Sequence, residues 1–360
     1  MRILFVGDWE ADIHEEPAYR ALKTLGHEVR PFKWHSYFHA KHKPAERLSP
    51  DIISRKIQNK FLFGNRLRQL NRDFIAAAVA FRPEMVFVYR GTHVKKATLT
   101  GIKRELPSAV LVGYNNDDPF SRRQPGLLWR HFLASVPFYD LMLAYRQHNV
   151  ADFLRIGAKR VEVLRSWFVP ERNRLVALSP EDEARFGCDV AFIGHYEPDN
   201  RIECLEEIAK AGVALQLYGP DYPPKPVSDV LAHLWPVNPV RGEDYNKAVC
   251  ATKIALCFLS KLNRDTYTRR CFEIPAAGTL LLSEYSDDLA SLFEEGVEAD
   301  FFRDKDELVR KIRHYLADGH ARRSVAERGR ARVIADGHDV ESRMRQVVDW
   351  VEEIRNAAGG

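Results

Sequence analysis

Helical and extended patterns alternate along almost the whole of this 360-residue chain, in two successive series. The first series opens with a buried-strand pattern at residues 3–6, which ends at Gly7 and is followed by a helical pattern at residues 18–25. Strands that alternate with helices pair in parallel, and helices cover both faces of their sheet. A second series begins at Cys188, so the sequence predicts an α/β fold with two doubly wound parallel sheets.

The length of the chain suffices for two domains of ordinary size. We expect the first domain to span residues 1–170 and the second to span residues 171–337. A stretch with Trp167 and Pro170 is typical of a crossover between domains. Residues 338–360 carry the apolar stripe of an amphipathic terminal helix.

Composition excludes several classes of protein. A formal charge of +4 is too small to indicate nucleic-acid binding, so no nucleic-acid partner is expected. The five cysteines are odd in number and form no C-x-x-C pair, which predicts free thiols in a reducing compartment. No apolar run approaches the ~18 residues of a membrane span, and the chain opens on a strand pattern. We therefore expect a cytoplasmic protein, with peripheral membrane contact as an open alternative.

Residues 265–284 combine a loop, a short helix, a glycine turn and a buried strand. Glu273 lies near the front of the predicted helix, and Gly278 closes it. A carboxylate this close to a sheet is costly to bury unless it accepts hydrogen bonds. The two hydroxyl groups of a ribose would supply them.

The same residues resemble a known family of enzymes. Asp265 and Glu273, with seven residues between them, resemble the E-x7-E element of family 4-like glycosyltransferases with the GT-B fold, although Asp265 replaces a glutamate. Residues 272–278 fit that family's F-E-A-x-A-x-G helix, whose acid contacts the nucleotide ribose. Arg270-x-Phe272-Glu273, with Gly296 and Glu298 downstream, resembles the CgeB-like branch, described as glycosyl transferases group 1.

Residues 189–194, followed by Arg201, resemble the D-V-x-F-x-G … R opening of the family's nucleotide-binding half. A helix N-terminus after a glycine break suits a diphosphate. Arg201 or Lys253 could neutralise the leaving phosphates, and the alternative for each is ordinary surface charge. The expected nucleotide-sugar-binding residues are Gly194, Arg201, Lys253, Asp265, Thr268, Arg270, Glu273 and Gly278.

In the first half, the run from Asn115 to Pro119 follows a predicted strand. Its polar side chains favour an Asx-type turn, which is the structural alternative. Asp117 and Asp118 are also the candidate catalytic base, and in CgeB-like sequences this element faces the C-terminal domain. The expected residues of the acceptor site or cleft are Gly7, Arg90, His93, Arg66 and Arg68.

Residues 34–72 contain nine Lys or Arg and two acids, with aromatic side chains interleaved. The segment is either a solvated insertion that leads into a helix, or a surface for an anionic acceptor or lipid headgroups. His35, His39 and His42 could share a helical face as metal ligands. We expect exposed histidines and no metal, because Pro44 follows closely and no acid is well placed to join them.

The resemblance implies a GT-B enzyme with two Rossmann-like domains that face across a cleft. The second domain would hold a nucleotide-sugar donor, and the acceptor would be a carbohydrate, lipid-linked or protein molecule. It further implies transfer without a cofactor or metal, retention of configuration, and a terminal helix that crosses back to the first domain. The alternatives are a nucleotide-sugar epimerase or phosphorylase, or a non-catalytic nucleotide-binding protein.

Overall fold

The computed structural model describes residues 1–10, 13–39 and 49–359. It divides into two compact units, Met1–Arg165 with Val340–Gly360, and Ser166–Asp339. Each unit is built on one parallel sheet, which confirms the predicted α/β class. No helix within the described ranges is long and apolar enough to cross a membrane.

The first unit contains a six-stranded sheet in the order β2-β1-β3-β4-β5-β6. All its pairings are parallel. The inner strands β3, β4 and β5 are buried along their whole length, as a parallel sheet covered on both faces requires. The strands are β1 Arg2–Gly7, β2 Glu28–Lys33, β3 Met85–Tyr89, β4 Val110–Asn115, β5 Leu141–Ala144 and β6 Val161–Val163.

Helices of the first unit present apolar stripes to this sheet. In α4 the stripe includes Leu67, Leu70 and Phe74, spaced three and four residues apart and fully buried. The C-terminal helix packs on α1, and its Arg355 pairs with Glu84 at 2.6 Å. The helices are α1 Glu15–Thr24, α2 His35–Phe38, α3 Pro50–Phe61, α4 Asn65–Phe81, α5 Lys96–Glu105, α6 Gly126–Ser135, α7 His148–Arg155 and the C-terminal α15 Val340–Gly359.

The second unit contains a five-stranded parallel sheet in the order β11-β10-β9-β7-β8. Its strands are β7 Cys188–Ile193, β8 Leu215–Tyr218, β9 Thr252–Cys257, β10 Leu280–Glu284 and β11 Asp300–Phe302. Its helices are α8 Pro180–Phe186, α9 Arg201–Lys210, α10 Glu243–Ala251, α11 Arg270–Ala276, α12 Asp287–Leu292, α13 Lys305–Ala317 and α14 Gly319–Ala335.

The bounds of the two units differ by a few residues from the expected 170 and 337. Hydrogen bonds explain the difference. The backbone N–H of Ser166 donates to the hydroxyl of Tyr267 at 3.2 Å, and that of Phe168 donates to the carbonyl of His338 at 3.0 Å. Both ends of the second unit are therefore fixed to its interior from Ser166 onward and as far as Asp339.

Candidate functional site

The strand order reverses once in each sheet, and parallel α/β sheets bind ligands beyond the carboxyl ends of the strands at such a point. In the second unit the reversal lies between β7 and β9, because β8 lies on the other side of β7. Gly194 directly follows β7, and the loop to α11 follows β9. In the first unit the reversal lies between β1, which ends at Gly7, and β3, which Arg90 follows.

Glu273 is the fourth residue of α11 and is half-buried. Its Oε2 accepts a hydrogen bond from the hydroxyl of Tyr245 on α10 at 2.7 Å. Its Oε1 has no hydrogen-bond partner among the described residues. Burial, and then the Glu273 carboxylate, raise the pKa of Tyr245 well above its ordinary value, so the phenol remains a donor.

Tyr245 is a residue that the sequence analysis did not identify. Its helical position on α10 was predictable, because the pattern of residues 244–251 is helical. Nothing in that pattern indicates that the side chain meets Glu273, which lies 28 residues further along the chain.

Arg270 and Gly194 adjoin each other beside this pair. A Cβ atom built on Gly194 would lie 3.2 Å from Nη2 of Arg270 and 2.6 Å from Phe192. A Cβ on Gly219, which follows β8, would lie only 1.8 Å from the carbonyl oxygen of Gly194. Both glycines therefore permit close backbone approach next to a guanidinium, an arrangement suited to an anionic group.

The loop between β9 and α11 is fixed by the next strand and helix. Glu284 accepts hydrogen bonds from the backbone N–H of Leu259 at 3.0 Å and from Nζ of Lys261 at 2.5 Å. The hydroxyl of Thr266 donates to Asp288 at 2.6 Å. Asp265 and Thr268, two of the predicted residues, therefore lie on a pre-organised loop at the carboxyl edge of the sheet.

Two buried cysteines lie beneath the start of α11. The Sγ atoms of Cys257 and Cys271 are 3.7 Å apart, and the hydroxyl of Thr268 is 3.3 Å from Cys257. The hydrogen bond with Cys271 and the charge of Arg270 lower the pKa of Cys257 below its ordinary value, although burial opposes this. All five cysteines are free in the structure.

Arg201, predicted to neutralise the leaving phosphates, is the first residue of α9 and lies at the end of the loop that leads there from β7. Arg201 is only 3% exposed, and its guanidinium donates two hydrogen bonds, of 2.7 and 2.9 Å, to the carboxylate of Asp199. It also donates to the carbonyl of His195 at 2.9 Å. Arg201 thus holds this loop together through hydrogen bonds from Nε, Nη1 and Nη2.

Lys253 and Gly278 also lie away from the predicted site. Lys253 is the second residue of β9, and its Nζ pairs with Asp189 at the start of β7 at 2.7 Å. Gly278, with a φ of +81°, ends α11 and leads into β10. Both residues are therefore at the amino edge of the sheet, whereas Gly194 and Glu273 are at the carboxyl edge. Their predicted role in nucleotide-sugar binding stays a prediction.

In the first unit, the two predicted acids occupy different environments. The backbone N–H of Asp117 donates to Asn115 at 3.2 Å in an Asx turn, and its carboxylate pairs with Arg90 at 3.0 Å. Asp118 is fully buried and accepts a hydrogen bond from Asn149 at 3.1 Å. Asp118 is thus part of the scaffold, and Asp117 is the accessible carboxylate of the two.

Gly7 ends β1 beneath the carboxylate of Glu15. That carboxylate accepts the backbone N–H groups of Asp8 at 2.9 Å and Trp9 at 3.3 Å. A Cβ on Gly7 would lie 2.6 Å from Glu15, so the tight turn after β1 requires glycine. Gly7 therefore shapes the turn at the point where the strand order of the first unit reverses.

His93 and Arg66 are held by neighbouring side chains. His93 is 8% exposed, its Nε2 lies 2.8 Å from Oδ1 of Asn59, and burial lowers its pKa to about 3. It is therefore a neutral residue of the scaffold. The Arg66 guanidinium pairs with the Asp51 carboxylate and ties α4 to α3. Arg68, predicted together with Arg66, is exposed instead.

Asp8, Glu10 and His35 bring their ligand atoms within 4.8 Å of one another. No acid was expected to be well placed to join the three histidines, but the fold brings Oδ1 of Asp8 to 3.2 Å from Nδ1 of His35. His39 stacks on His35 at 4.2 Å, whereas His42 lies outside the described residues. The expected absence of a metal stays a prediction.

Comparison with known proteins gives a family match for part of the chain and a fold match for all of it. Residues 201–349 match the family model described as "Glycosyl transferase-like". No curated protein matches the sequence.

Several solved structures have a similar fold. One is a sucrose-phosphate synthase from Thermosynechococcus elongatus, at 15% identity and a TM-score of 0.70, with 99% of this chain and 100% of that chain covered. Another is HepE of Anabaena in complex with UDP-glucose, at 14% identity and a TM-score of 0.65, with coverage of 98% and 100%. A third is a candidate UDP-N-acetylglucosamine 2-epimerase from Listeria monocytogenes, at 10% identity and a TM-score of 0.59, with coverage of 96% and 94%.

These findings confirm the predicted resemblance to group 1 GT-B glycosyltransferases. Residues 201–349 are similar to the glycosyl transferase-like family model, and the structural matches show the GT-B fold over nearly the full length of the chain. The family match supports the prediction of a glycosyltransferase-type enzyme, and the structural matches support the fold.

Proposed function

We propose that this chain transfers a sugar from a nucleotide-sugar donor to a hydroxyl-bearing acceptor. The observation that carries the proposal is the half-buried Glu273. It lies near the point where the strand order of the second sheet reverses, and it accepts one hydrogen bond from Tyr245. Its Oε1 has no partner among the described residues, so this oxygen can accept from a ligand. A ribose presents two neighbouring hydroxyl donors of the kind that such a carboxylate needs.

The donor diphosphate would lie beside Gly194 and Arg270. Gly194 brings its backbone close to the Arg270 guanidinium, whose Nη2 would be 3.2 Å from a Cβ at that position, so a diphosphate bound at this turn would lie near a cation. A fixed cation beside the leaving group stabilises the charge that develops as the glycosidic bond breaks. Arg270 takes the role that the sequence analysis gave to Arg201 and Lys253.

The first unit is proposed to bind the acceptor. Arg90 and Asp117 form a half-exposed ion pair of 3.0 Å at the carboxyl edge of its sheet. Asp117 would accept a hydrogen bond from the acceptor hydroxyl, and Arg90 would keep the carboxylate in place. Transfer without a metal and with retention of configuration belongs to the same proposal, on the likeness to family 4.

A uridine nucleotide is the first donor to test, because HepE was solved with UDP-glucose. We would screen UDP, GDP, ADP and their common sugar conjugates by thermal shift. A ligand that binds only the folded chain raises its melting temperature. The proposal is supported if one sugar nucleotide raises the melting temperature and its nucleoside diphosphate is then released when a cell extract that contains acceptors is added. No shift with any nucleotide in the panel contradicts it.

The alternative with independent support is an epimerase on the same fold, since a candidate 2-epimerase is among the structural matches. An epimerase converts its sugar nucleotide without an acceptor. The donor identified by thermal shift would therefore be incubated alone with the protein and followed by NMR. Interconversion of the sugar would favour the epimerase, whereas an unchanged donor would favour transfer.

A further inference from the structure

Helix α3 of the first unit presents an apolar stripe to solvent. Ile53, Ile57 and Phe61 are spaced by four residues, so they share one face of the helix, and they are 42%, 44% and 43% exposed. Phe63, just beyond the helix, is 49% exposed. Large apolar side chains that cluster on a surface in this way mark an interaction site more often than isolated ones do.

Cations border this stripe on both sides. Lys56 and Lys60 are exposed on α3 itself, one residue before Ile57 and Phe61 respectively. On the other side is a groove of about 960 Å³ between α3 and α6, which Ile53 and Ile57 of the stripe and Phe63 also line. Its lining includes the cationic side chains of Arg68, Lys95 and Arg130.

The stripe is not needed to hold α3 in place. Ile52, on a different side of the helix, is buried, and Asp51 at its start pairs with Arg66 of α4. At the other end, Arg130 of α6 donates to the carbonyls of Phe61 and Leu62. The helix is thus attached through its buried side and its two ends, and the stripe is left exposed along the groove.

The unpaired charges of this face are all positive. Residues 50–64, which are α3 and the turn after it, contain one acid, Asp51, and it pairs with both Arg55 and Arg66. Lys56, Lys60 and Arg68 make no ion pair with any described residue. An apolar stripe with an unneutralised cationic border complements a surface that has anionic headgroups above an apolar interior.

We propose that α3 and its flanking cations dock this protein on an anionic lipid bilayer. Ile53, Ile57, Phe61 and Phe63 enter the boundary between headgroups and acyl chains, and Lys56, Lys60 and Arg68 contact the headgroups. Helices that lie in the plane of a membrane have this distribution of apolar and cationic side chains. The proposal goes beyond glycosyl transfer and does not rest on it.

Vesicle flotation of the full chain tests this docking without any sugar donor. The first arm uses phosphatidylcholine vesicles, and the second uses equal parts of phosphatidylcholine and phosphatidylglycerol. We expect the wild-type protein to bind the anionic vesicles at least about tenfold more tightly than the neutral ones. The double variant Ile57→Ser/Phe63→Ser should lose about tenfold in affinity for anionic vesicles, as should Lys56→Gln/Lys60→Gln.

Matched controls distinguish binding through this face from non-specific binding of the protein to vesicles. Leu154 of α7 is 51% exposed, and Lys23 of α1 is exposed as well, so Leu154→Ser and Lys23→Gln remove comparable groups elsewhere on the same unit. Both should bind vesicles like the wild type. Circular dichroism and melting temperature confirm that each variant is folded, which is expected because every substituted side chain is exposed.

Three results would overturn the proposal. In the first, the wild-type protein binds anionic vesicles no better than neutral ones. In the second, the serine variants bind as well as the wild type, so that charge alone accounts for binding. In the third, the protein does not bind vesicles but binds a soluble short-chain phosphatidylglycerol with one-to-one stoichiometry, which would make the groove a ligand pocket.

Discussion

Replacing Arg201 by methionine should destabilise the second unit rather than weaken its affinity for a nucleotide. The substitution removes two hydrogen bonds to Asp199, of 2.7 and 2.9 Å, and one of 2.9 Å to the carbonyl of His195. The Asp199 side chain is only 15% exposed, so the variant leaves a largely buried carboxylate without its partner. Loss of one member of a buried pair costs about 3–5 kcal/mol, and partial exposure of Asp199 reduces this to about 2–4 kcal/mol.

Differential scanning calorimetry without ligand would measure this cost. For a unit of this size, about 2–4 kcal/mol corresponds to a fall in melting temperature of about 5–15 °C. The control is Arg185→Met, because Arg185 pairs with Asp244 at 2.9 Å but is 60% exposed. An exposed pair contributes less than about 1 kcal/mol, so the control should melt within a few degrees of the wild type.

The same two variants would be tested for nucleotide binding at a temperature where both are folded. We expect the dissociation constant of Arg201→Met to stay within about threefold of the wild type, a change of less than 1 kcal/mol. If Arg201→Met instead melts like the wild type and loses most of its nucleotide affinity, Arg201 contacts the diphosphate. That result would refute the scaffold role assigned to it.

Three further predictions concern other residues. Tyr245→Phe should weaken nucleotide affinity by about three- to tenfold, because Glu273 loses a charge-assisted hydrogen bond; an unchanged affinity in calorimetric titration would contradict this. Arg270→Ala should lower kcat by about a hundredfold or more while Lys253→Ala leaves it unchanged, and equal rates for the two variants would exclude a role for Arg270 at the leaving group. The folded-state pKa of His93 is lowered to about 3, so below pH 6.5 the unfolded chain takes up a proton that the folded chain does not, and stability falls as the pH falls. His93→Gln should flatten this loss in urea unfolding between pH 7 and pH 4, and an unchanged slope would refute it.

The fold was largely predictable from local patterns. Parallel strands buried on both faces appear in the sequence as short apolar runs, and glycines such as Gly194 and Gly278 mark where the chain turns. The family pattern around Glu273 added the expected enzyme class, which the match to the family model supports. These signals are local, so each can be read from a few consecutive residues.

The site was less predictable because it depends on contacts between distant segments. Arg201 and Lys253 have the charge that a phosphate site needs, but their partners, Asp199 and Asp189, already neutralise them. Position within an element also matters. Lys253 lies at the beginning of β9, and the ligand edge is where that strand ends. Spacing along the sequence does not report which acid faces which cation.

The turn after β4 shows the same limit. Asp117 and Asp118 are neighbours and were equivalent candidates in the sequence. The structure buries Asp118 completely and pairs the half-exposed Asp117 with Arg90. The Asx turn at Asn115 separates them, and the course of the backbone decides which of the two is buried.

Glu273→Gln tests the central claim most directly, because it keeps the shape of the side chain and removes its charge. If Glu273 binds the ribose of a sugar nucleotide, the loss of charge-assisted hydrogen bonds of roughly 1.5–3 kcal/mol each should raise the nucleotide dissociation constant about tenfold or more. The melting temperature without ligand should change little, because Tyr245 is its hydrogen-bond partner among the described residues and the amide oxygen of glutamine can still accept from that hydroxyl. Isothermal titration and calorimetry on the same variant give both quantities. A lower melting temperature with an unchanged dissociation constant would contradict the account and make Glu273 a scaffold residue.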